Sequence, residues 1–229
     1  MTYSAIAHIH NDFKEKFGIP RQSGLIAQVE SRIIFDEKYR NPDAVRGLDE
    51  FSHLWLIWVF SEGFASRKNN KHDFSPTVRP PRLGGNERMG VWATRSPNRP
   101  NPIGLSCVEI VSVEPDTPDG PVITVRGADL MDGTPILDIK PYIAYADARP
   151  DADCSYASEA PDTHVLTVTG TELIPDDMEK EAIIAVLSSD PRPSYQKDDS
   201  REYGIVFGSY NIRFTVADHR LTITGVSHT

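Results

Sequence analysis

Short apolar runs, each about as long as a β-strand, recur through the first two thirds of the chain. They cover residues 3–10, 25–35, 54–60, 107–113 and 122–125, and polar, glycine-rich or proline-rich stretches separate them. In the second run, the core candidates are Val29, Ile33, Ile34 and Phe35. The run from Leu54 to Phe60 is continuous and aromatic, which predicts a strand buried on both faces. This spacing predicts a β-rich body.

The pattern changes after residue 145. Residues 146–164 are small and polar and are predicted to form a linker. Beyond them we predict a strand at 165–169, a helix from Asp176 to Leu187 and a β-hairpin. The buried face of the hairpin would carry Tyr210, Ile212, Phe214 and Val216, which alternate with polar residues. The predicted fold is therefore mainly β with α+β character, with a β-rich body at 1–145 and a small two-layer α/β domain at 165–229.

Composition narrows the class of protein. The chain has 229 residues and a formal net charge of −9. Its longest apolar run, Leu54 to Phe60, is well short of the ~20 residues that a membrane-spanning helix needs. The first residues lack the basic start and apolar core of a secretory signal. Cys107 and Cys154 have no metal-ligand spacing, so we expect two reduced thiols in a cytoplasmic protein.

One stretch, from Arg79 to Ser106, runs against the acidity of the chain. Its five arginines, at positions 79, 82, 88, 95 and 99, face a single acid, Glu87. Its prolines exclude a regular helix, because each fixes φ and removes a backbone donor. The apolar run from Met89 to Ala93 predicts one buried strand between two stiff loops. We interpret the stretch as a binding surface that could dock a phosphate backbone, and the alternative is a proline-rich surface connection.

Several familiar sites are excluded by their missing motifs. There is no dinucleotide-binding glycine fingerprint, no P-loop, no nucleophile elbow and no H-E-x-x-H. His8 and His10 could face a metal from one side of a strand, but no third ligand is spaced nearby, so polar surface positions are the expectation and no metal site is predicted. His53, at the start of the aromatic run, is either a hydrogen-bonded structural residue or a ligand contact.

Four runs of residues resemble the TrmO family, also called YaeB or TsaA-like. They are GLDEFSHLWLIWVF, RPPRLGG, GVWATRSPNRPNPIGLS and GADLMDGTPILDIKPYI. The similarity is dense up to about residue 145 and continues into the tail around DPRPSY. It implies a β-barrel and a homodimer. It also implies an S-adenosylmethionine-dependent tRNA methyltransferase that acts on N6 of threonylcarbamoyladenosine at position 37, beside the anticodon of a threonine tRNA.

The resemblance also implies where the cofactor would be bound. The matching positions are Arg21, Gln22, Ser23, Gly24, Phe60, Ser61, Arg95, Leu105, Arg126, Gly127, Ala128 and Asp129. An arginine suits the methionine carboxylate of the cofactor, and apolar walls suit its adenine. Ser61 departs from the larger polar residue, often histidine, that relatives are expected to carry at this position.

The implied reaction needs a group that takes up a proton. N6 of the acceptor lies between an adenine ring and a carbonyl group, so its lone pair is delocalised. A general base would contribute roughly 10²–10⁴-fold to the rate. Asp129, Asp138 and His53 are the candidates, and the sequence leaves the choice among them open.

The tRNA itself is expected to meet two groups of side chains. The first is Arg79, Arg82, Arg88 and Arg99 in the arginine-rich stretch, and the second is Arg192, Tyr195 and Lys197 in the tail. We expect the tail to position tRNA and not to bind the cofactor; it could instead cap the barrel or extend a dimer. Two other functions stay open, a noncatalytic RNA-binding or regulatory module and a cofactor-dependent methyltransferase of a small molecule.

Overall fold

Six strands close into a barrel in the computed structural model, which describes residues 3–60, 75–176, 178–192, 198–199 and 201–229. The order around the barrel is β1-β2-β7-β6-β3-β8. The six strands are β1 (Ala7–His10), β2 (Glu30–Phe35), β3 (His53–Val59), β6 (Ile103–Glu114), β7 (Val122–Arg126) and β8 (Pro135–Pro141). The expected β-barrel is confirmed. Closure pairs every strand on both edges, so the barrel exposes no open edge.

The aromatic strand β3 alternates between the two sides of the barrel wall. Leu54, Leu56 and Trp58 are buried in the interior, whereas Trp55 and Ile57 point outward and are only half-buried. The prediction that this strand is buried on both faces was wrong. Its outer face is covered only in part; Trp55, for example, donates a 2.9 Å hydrogen bond from Nε1 to Asp147 of the short helix α1 (Ala144–Asp147).

The arginine-rich stretch also differs from its prediction. A two-stranded ribbon is formed by β4 (Thr77–Val78) and β5 (Met89–Gly90), and a single helical turn follows at Val91–Ala93. The predicted buried strand from Met89 to Ala93 was therefore wrong, since the ribbon ends at Gly90 and the chain turns there. The predicted second loop ends early, because β6 already begins at Ile103.

A second sheet has the order β10-β11-β12-β9. Its strands are β9 (Thr167–Thr169), β10 (Tyr203–Phe207), β11 (Tyr210–Ala217) and β12 (Arg220–His228). The hairpin and its buried face are confirmed. The helix α2 spans Lys180–Ser188, so the predicted start at Asp176 was too early, because the backbone of Glu179 is still non-helical. The strand β10 was missed although Tyr203, Ile205 and Phe207 alternate with less buried neighbours.

The core of the second sheet includes residues from the first part of the chain. Phe13, Ile26 and Val29 lie in the same buried cluster as α2 and the hairpin. Phe13 forms an antiparallel bridge with Phe207, and their rings meet edge to face with centroids 5.8 Å apart. The division at residues 145 and 165 stays a prediction, but the segment 12–29 packs with the C-terminal part.

The described helices contain none that is long and apolar enough to cross a membrane.

We predict that Phe13→Ala lowers the free energy of unfolding by ~3–5 kcal/mol, because it removes a large side chain that is 1% exposed from the second core. Urea unfolding at equilibrium measures this loss. Tyr145→Ala is the matched control, since that ring is 88% exposed and its removal should change stability by no more than ~0.5 kcal/mol. Equal effects of the two substitutions would contradict the shared core.

Candidate functional site

Two consecutive hydrogen bonds link three side chains near the start of β6 and the segment that follows β7. The Trp58 indole donates from Nε1 to Ser106 Oγ over 3.0 Å. The Ser106 hydroxyl donates to Asp129 Oδ1 over 2.5 Å. Ser106 pairs with Leu56 in the β3–β6 ladder, and both side chains are buried in the barrel wall. The barrel interior therefore holds one oxygen of the Asp129 carboxylate in a fixed position.

Gly104 leaves the space that the Trp58 indole needs to reach Ser106. A Cβ atom at position 104 would lie 2.2 Å from Cε2 of Trp58, so any other residue would displace the indole. The ring of Phe60 lies 4.2 Å from that of Trp58 between centroids. The backbone amide of Phe60 donates to the carbonyl of Pro102 over 2.9 Å. Phe60 is thus placed beside the hydrogen-bonded chain that ends at Asp129.

The surroundings of Asp129 shift the pKa of its carboxyl group in opposite directions. Burial is the largest influence and raises the pKa of the Asp129 carboxyl above its ordinary value. The Ser106 hydroxyl, the backbone amides of Asp129 and Ser23 and the charge of Arg95 oppose the rise without cancelling it. The carboxyl group therefore holds a proton more readily than an exposed aspartate does.

The predicted cofactor loop, Arg21 to Gly24, lies against the segment that carries Asp129. The amide of Gly24 donates to the carbonyl of Gly127 over 2.8 Å. Gly127 has a φ of 76°, and a Cβ there would lie 3.1 Å from the Gly24 Cα, so this close approach favours glycine. Arg95 donates from Nη1 to Gln22 Oε1 over 2.5 Å. Three predicted segments, 21–24, 95 and 127–129, are therefore brought together.

The other predicted cofactor residues that the structure describes do not all face Asp129. Leu105 is the neighbour of Ser106 on β6 but points to the opposite face, where it is 53% exposed. Arg126 forms a 2.6 Å ion pair with Glu30 at the end of β7. Ala128 is buried in the barrel core. Ser61 lies outside the described residues.

Two of the three candidate bases lie apart from Asp129. Asp138 is on the outer face of β8 opposite Ile57, and its carboxylate pairs with Lys140 at 2.8 Å. His53 is exposed at the start of β3, three register positions from the Leu56–Ser106 pair, and its Nδ1 lies 2.9 Å from Ser52 Oγ. Asp129 is therefore the candidate base that the fold places among the predicted cofactor residues.

The arginines proposed for tRNA divide into two kinds. Arg79, Arg82 and Arg88 are exposed around the β4–β5 ribbon, and Arg88 donates to the Thr77 hydroxyl over 2.9 Å. Arg99 is half-buried and holds its own loop, since its Nη1 donates to the carbonyls of Thr94 and Ser96, each at 3.1 Å.

The tail residues are less well placed for RNA. The side chain of Arg192 is 11% exposed and forms two hydrogen bonds with the Asp190 carboxylate, at 2.8 and 3.0 Å. Its guanidinium also lies over the ring of Tyr203. This placement argues against a phosphate contact by Arg192. Tyr195 and Lys197 lie outside the described residues.

The contacts of Trp58 and Ser106 with Asp129 were not predicted from the sequence. A signal was present, because Ser106 is a polar residue at an inward position of an alternating strand, between Gly104 and Val108. Buried hydroxyls need a partner, and two suitable groups, an indole and a carboxylate, were elsewhere in the chain. Their register could not be deduced from local pattern.

Comparison with known proteins extends over both parts of the chain. The family models of the tRNA-methyltransferase O N-terminal domain and the TrmO C-terminal domain match residues 8–148 and 167–229. The chain is 40% identical over 226 residues to the tRNA (adenine(37)-N6)-methyltransferase of Escherichia coli K12, covering 94% of this chain and 93% of the relative. A Pseudomonas aeruginosa protein whose name places it among S-adenosylmethionine-dependent methyltransferases, RcsF, is 37% identical over 217 residues, covering 90% of this chain and 89% of that protein. The crystal structure of TrmO from Pseudomonas aeruginosa superposes with a TM-score of 0.77 at 28% identity, covering 99% of this chain and 98% of that one.

We predict that Asp129→Asn makes the fold more stable than the wild type at neutral pH, with a difference that shrinks in acid. The folded state keeps the Asp129 proton to a higher pH than the unfolded state, because burial raises its pKa. Stability of the wild type should therefore fall as pH rises from the ordinary carboxyl range through the raised pKa. Asparagine removes this contribution while its side-chain oxygen can still accept from Ser106.

Urea unfolding of both proteins across the acid-to-neutral range, at constant ionic strength, measures the difference. Asp138→Asn is the control for loss of one charge from the barrel at an exposed position. A stability difference between wild type and Asp129→Asn that is independent of pH would contradict the assignment.

Proposed function

The chain belongs to the tRNA-methyltransferase O family, and we propose that it uses S-adenosylmethionine to methylate N6 of threonylcarbamoyladenosine at position 37 of tRNA. The structural observation that carries the proposal is the position of Asp129. Its carboxylate is held by the Trp58–Ser106 chain and faces the loop of Gln22 and Ser23 and the charge of Arg95. The named activity of the Escherichia coli relative, which aligns with nearly the whole chain, supports the same reaction.

The residues around Asp129 suit the three chemical parts of the cofactor. A guanidinium has five N–H donors, so Arg95 can bind the methionine carboxylate while one donor stays on Gln22. Phe60, whose ring packs against that of Trp58, offers apolar surface to an adenine ring. The Asp129 carboxylate offers negative charge to a sulfonium or acceptor atoms to ribose hydroxyls. The donor set therefore fits a ligand that is anionic, cationic and aromatic in different parts.

When bound, S-adenosylmethionine supplies a methyl group that is already activated by its positive sulfur. The protein must then remove the N6 proton as the bond from N6 to carbon forms. Asp129 would take up that proton at Oδ2, since Oδ1 accepts from Ser106. Burial favours this step because it raises the pKa of the carboxyl towards the range in which a base is effective. Ser106 and Trp58 are positioning residues, because they orient the carboxylate without meeting the substrate.

Exposed Arg79, Arg82 and Arg88 form the basic surface that we assign to the tRNA backbone. Phosphate contacts position an RNA, whereas base contacts specify it. We propose a threonine tRNA as the substrate, since the family resemblance implies it. The cytoplasm, where we expect the free thiols Cys107 and Cys154 to stay reduced, is the proposed location.

We also propose that the protein is a homodimer. Ile103 and Leu105 are exposed on the outward face of β6, beside the half-buried Ile57 and Val59 of β3. Contiguous apolar surface of this kind marks interaction sites. Sedimentation equilibrium measures the mass in solution, and a monomer at micromolar concentration would refute the dimer.

The function is tested with threonine tRNA that carries, or lacks, the threonylcarbamoyl group. We expect methylation only of the modified tRNA, detected by mass spectrometry of its nucleosides. Asp129→Asn, measured at saturating S-adenosylmethionine, should reduce kcat by roughly 10²–10⁴-fold through loss of the base. Asp138→Asn should keep its activity, because Asp138 lies on the outer face of the barrel. Equal methylation of both tRNAs would refute the acceptor, and full activity of Asp129→Asn would refute the base.

Arg95→Ala is expected to weaken S-adenosylmethionine binding about 10- to 150-fold, the value of one charge-assisted contact. Calorimetry measures the affinity for the cofactor, and a filter assay measures that for tRNA, which should change less. Gln22→Ala is the matched control, since it removes the partner of Arg95 but leaves the guanidinium. If both variants lose the same affinity, Arg95 acts by holding the loop and the direct contact is refuted.

A further inference from the structure

Trp92 presents a large aromatic ring to solvent in the middle of the arginine-rich stretch. Trp92 is the middle residue of the helical turn Val91–Ala93. Its side chain is 66% exposed, although that of its neighbour Val91 is buried. Exposure of an indole leaves most of its apolar surface in water, and aromatic rings in this position commonly serve recognition. The mechanism described above gives this side chain no role.

The backbone that carries Trp92 is held from several sides. Val91 is fully buried, and its amide donates to the carbonyl of Pro76 over 2.9 Å. The hydroxyl of Thr94 donates to the carbonyl of Val91 over 2.9 Å. The hydroxyl of Tyr156, from the predicted linker, donates to the carbonyl of Ala93 over 3.1 Å. The ring is therefore presented by a fixed turn, which lowers the entropy lost when a ligand stacks on it.

One face of the ring is already occupied by a cation. The guanidinium carbon of Arg99 lies 5.6 Å from the Trp92 ring centroid, within the range of a cation–π contact. Arg99 is fixed in turn by the carbonyls of Thr94 and Ser96. This arrangement supports the indole from behind and adds positive charge next to it, which suits an electron-rich and anionic ligand.

The surroundings of Trp92 identify the class of ligand. The ribbon pairs Val78 with Met89, so the exposed Arg79 and Arg88 follow at one end of it, while Trp92 lies just past the other end. Arg95, three residues after Trp92, reaches the Gln22 loop of the candidate cofactor site. An aromatic ring between arginines, on a stretch whose Arg95 reaches the candidate cofactor loop, matches the way proteins bind unpaired RNA bases.

We propose that Trp92 is a stacking platform for an unpaired base of the anticodon loop, beside the nucleotide that is methylated. The inference rests on the proposed function, because it takes the RNA substrate from it. Stacking tolerates any base, so Trp92 would contribute affinity and position, whereas selection of the modified adenosine would depend on the groups around Asp129.

The first test compares Trp92→Ala and Trp92→Phe with the wild type. Trp92→Ala should raise KM for modified threonine tRNA roughly 5- to 150-fold, with the affinity for S-adenosylmethionine unchanged, and Trp92→Phe should keep most of the wild-type value because a ring remains. Tyr145→Ala, which removes another exposed ring, should have no effect on KM. An unchanged KM in Trp92→Ala would overturn the inference. So would a change of oligomeric mass in that variant, because the ring would then serve an interface between copies of the chain.

The second test identifies the base and does not depend on activity. Anticodon stem-loop RNAs that each lack one loop base are titrated against the wild type and Trp92→Ala. At the stacked position, removal of the base should weaken binding to the wild type but not to Trp92→Ala, which is the signature of coupling in a double-mutant cycle. Additive losses at every position would overturn the inference.

These results separate the two levels of the proposal. Methylation of tRNA by the wild type together with unchanged binding by Trp92→Ala refutes only the stacking platform. Coupling at one base without methylation supports the platform and refutes the proposed reaction. Absence of both tRNA methylation and stem-loop binding by the wild type refutes both.

Discussion

The segment from Asn11 to Val29 packs into the second hydrophobic core and is hydrogen-bonded to the barrel, and the candidate site depends on both attachments. Phe13, Ile26 and Val29 are buried with the second sheet, whereas Gly24 is hydrogen-bonded to Gly127 at the end of the barrel. The predicted cofactor loop, residues 21–24, is thus held at both sides, and neither sheet alone fixes its position. Because interiors pack densely, a shift in the second core would be transmitted to this loop.

The C-terminal part also has a structural contribution. We predicted that it positions tRNA, because the cofactor-like motifs end before residue 145, and that role stays a prediction. Gly18 lies so close to Ile205 that a Cβ would lie 2.1 Å from the Ile205 Cδ1. The amide of Val206 also donates to Glu15 over 2.9 Å. The C-terminal sheet therefore supports the segment that leads into the predicted cofactor loop, and the inward-turned Arg192 agrees with a structural contribution.

The pattern of apolar and polar residues predicted the strands that have one buried face. The alternation at Tyr210 to Val216 gave the hairpin, and short apolar runs gave most barrel strands, because one buried face imposes a period of two. The same pattern did not predict the features that depend on closure of the barrel. The half-exposed outer face of β3 follows from its place in the barrel wall, and the Ser106–Asp129 pair joins β6 to the segment after β7, a contact that no single run encodes. The resemblance supplied the site segments, but only the fold separated Asp129 from Asp138 and His53.

The burial that raises the pKa of Asp129 also works against the stability of the fold. A carboxylate moved out of water is unfavourable unless donors surround it. Here the donors are the Ser106 hydroxyl and the backbone of Ser23, with the charge of Arg95 nearby. Each opposes the rise in pKa. These groups therefore reduce the cost of burying the carboxylate, which still remains more basic than that of an exposed aspartate. From the barrel interior, the Trp58 indole holds the Ser106 hydroxyl that donates to Asp129. Gly104 leaves the space that allows the indole to reach Ser106.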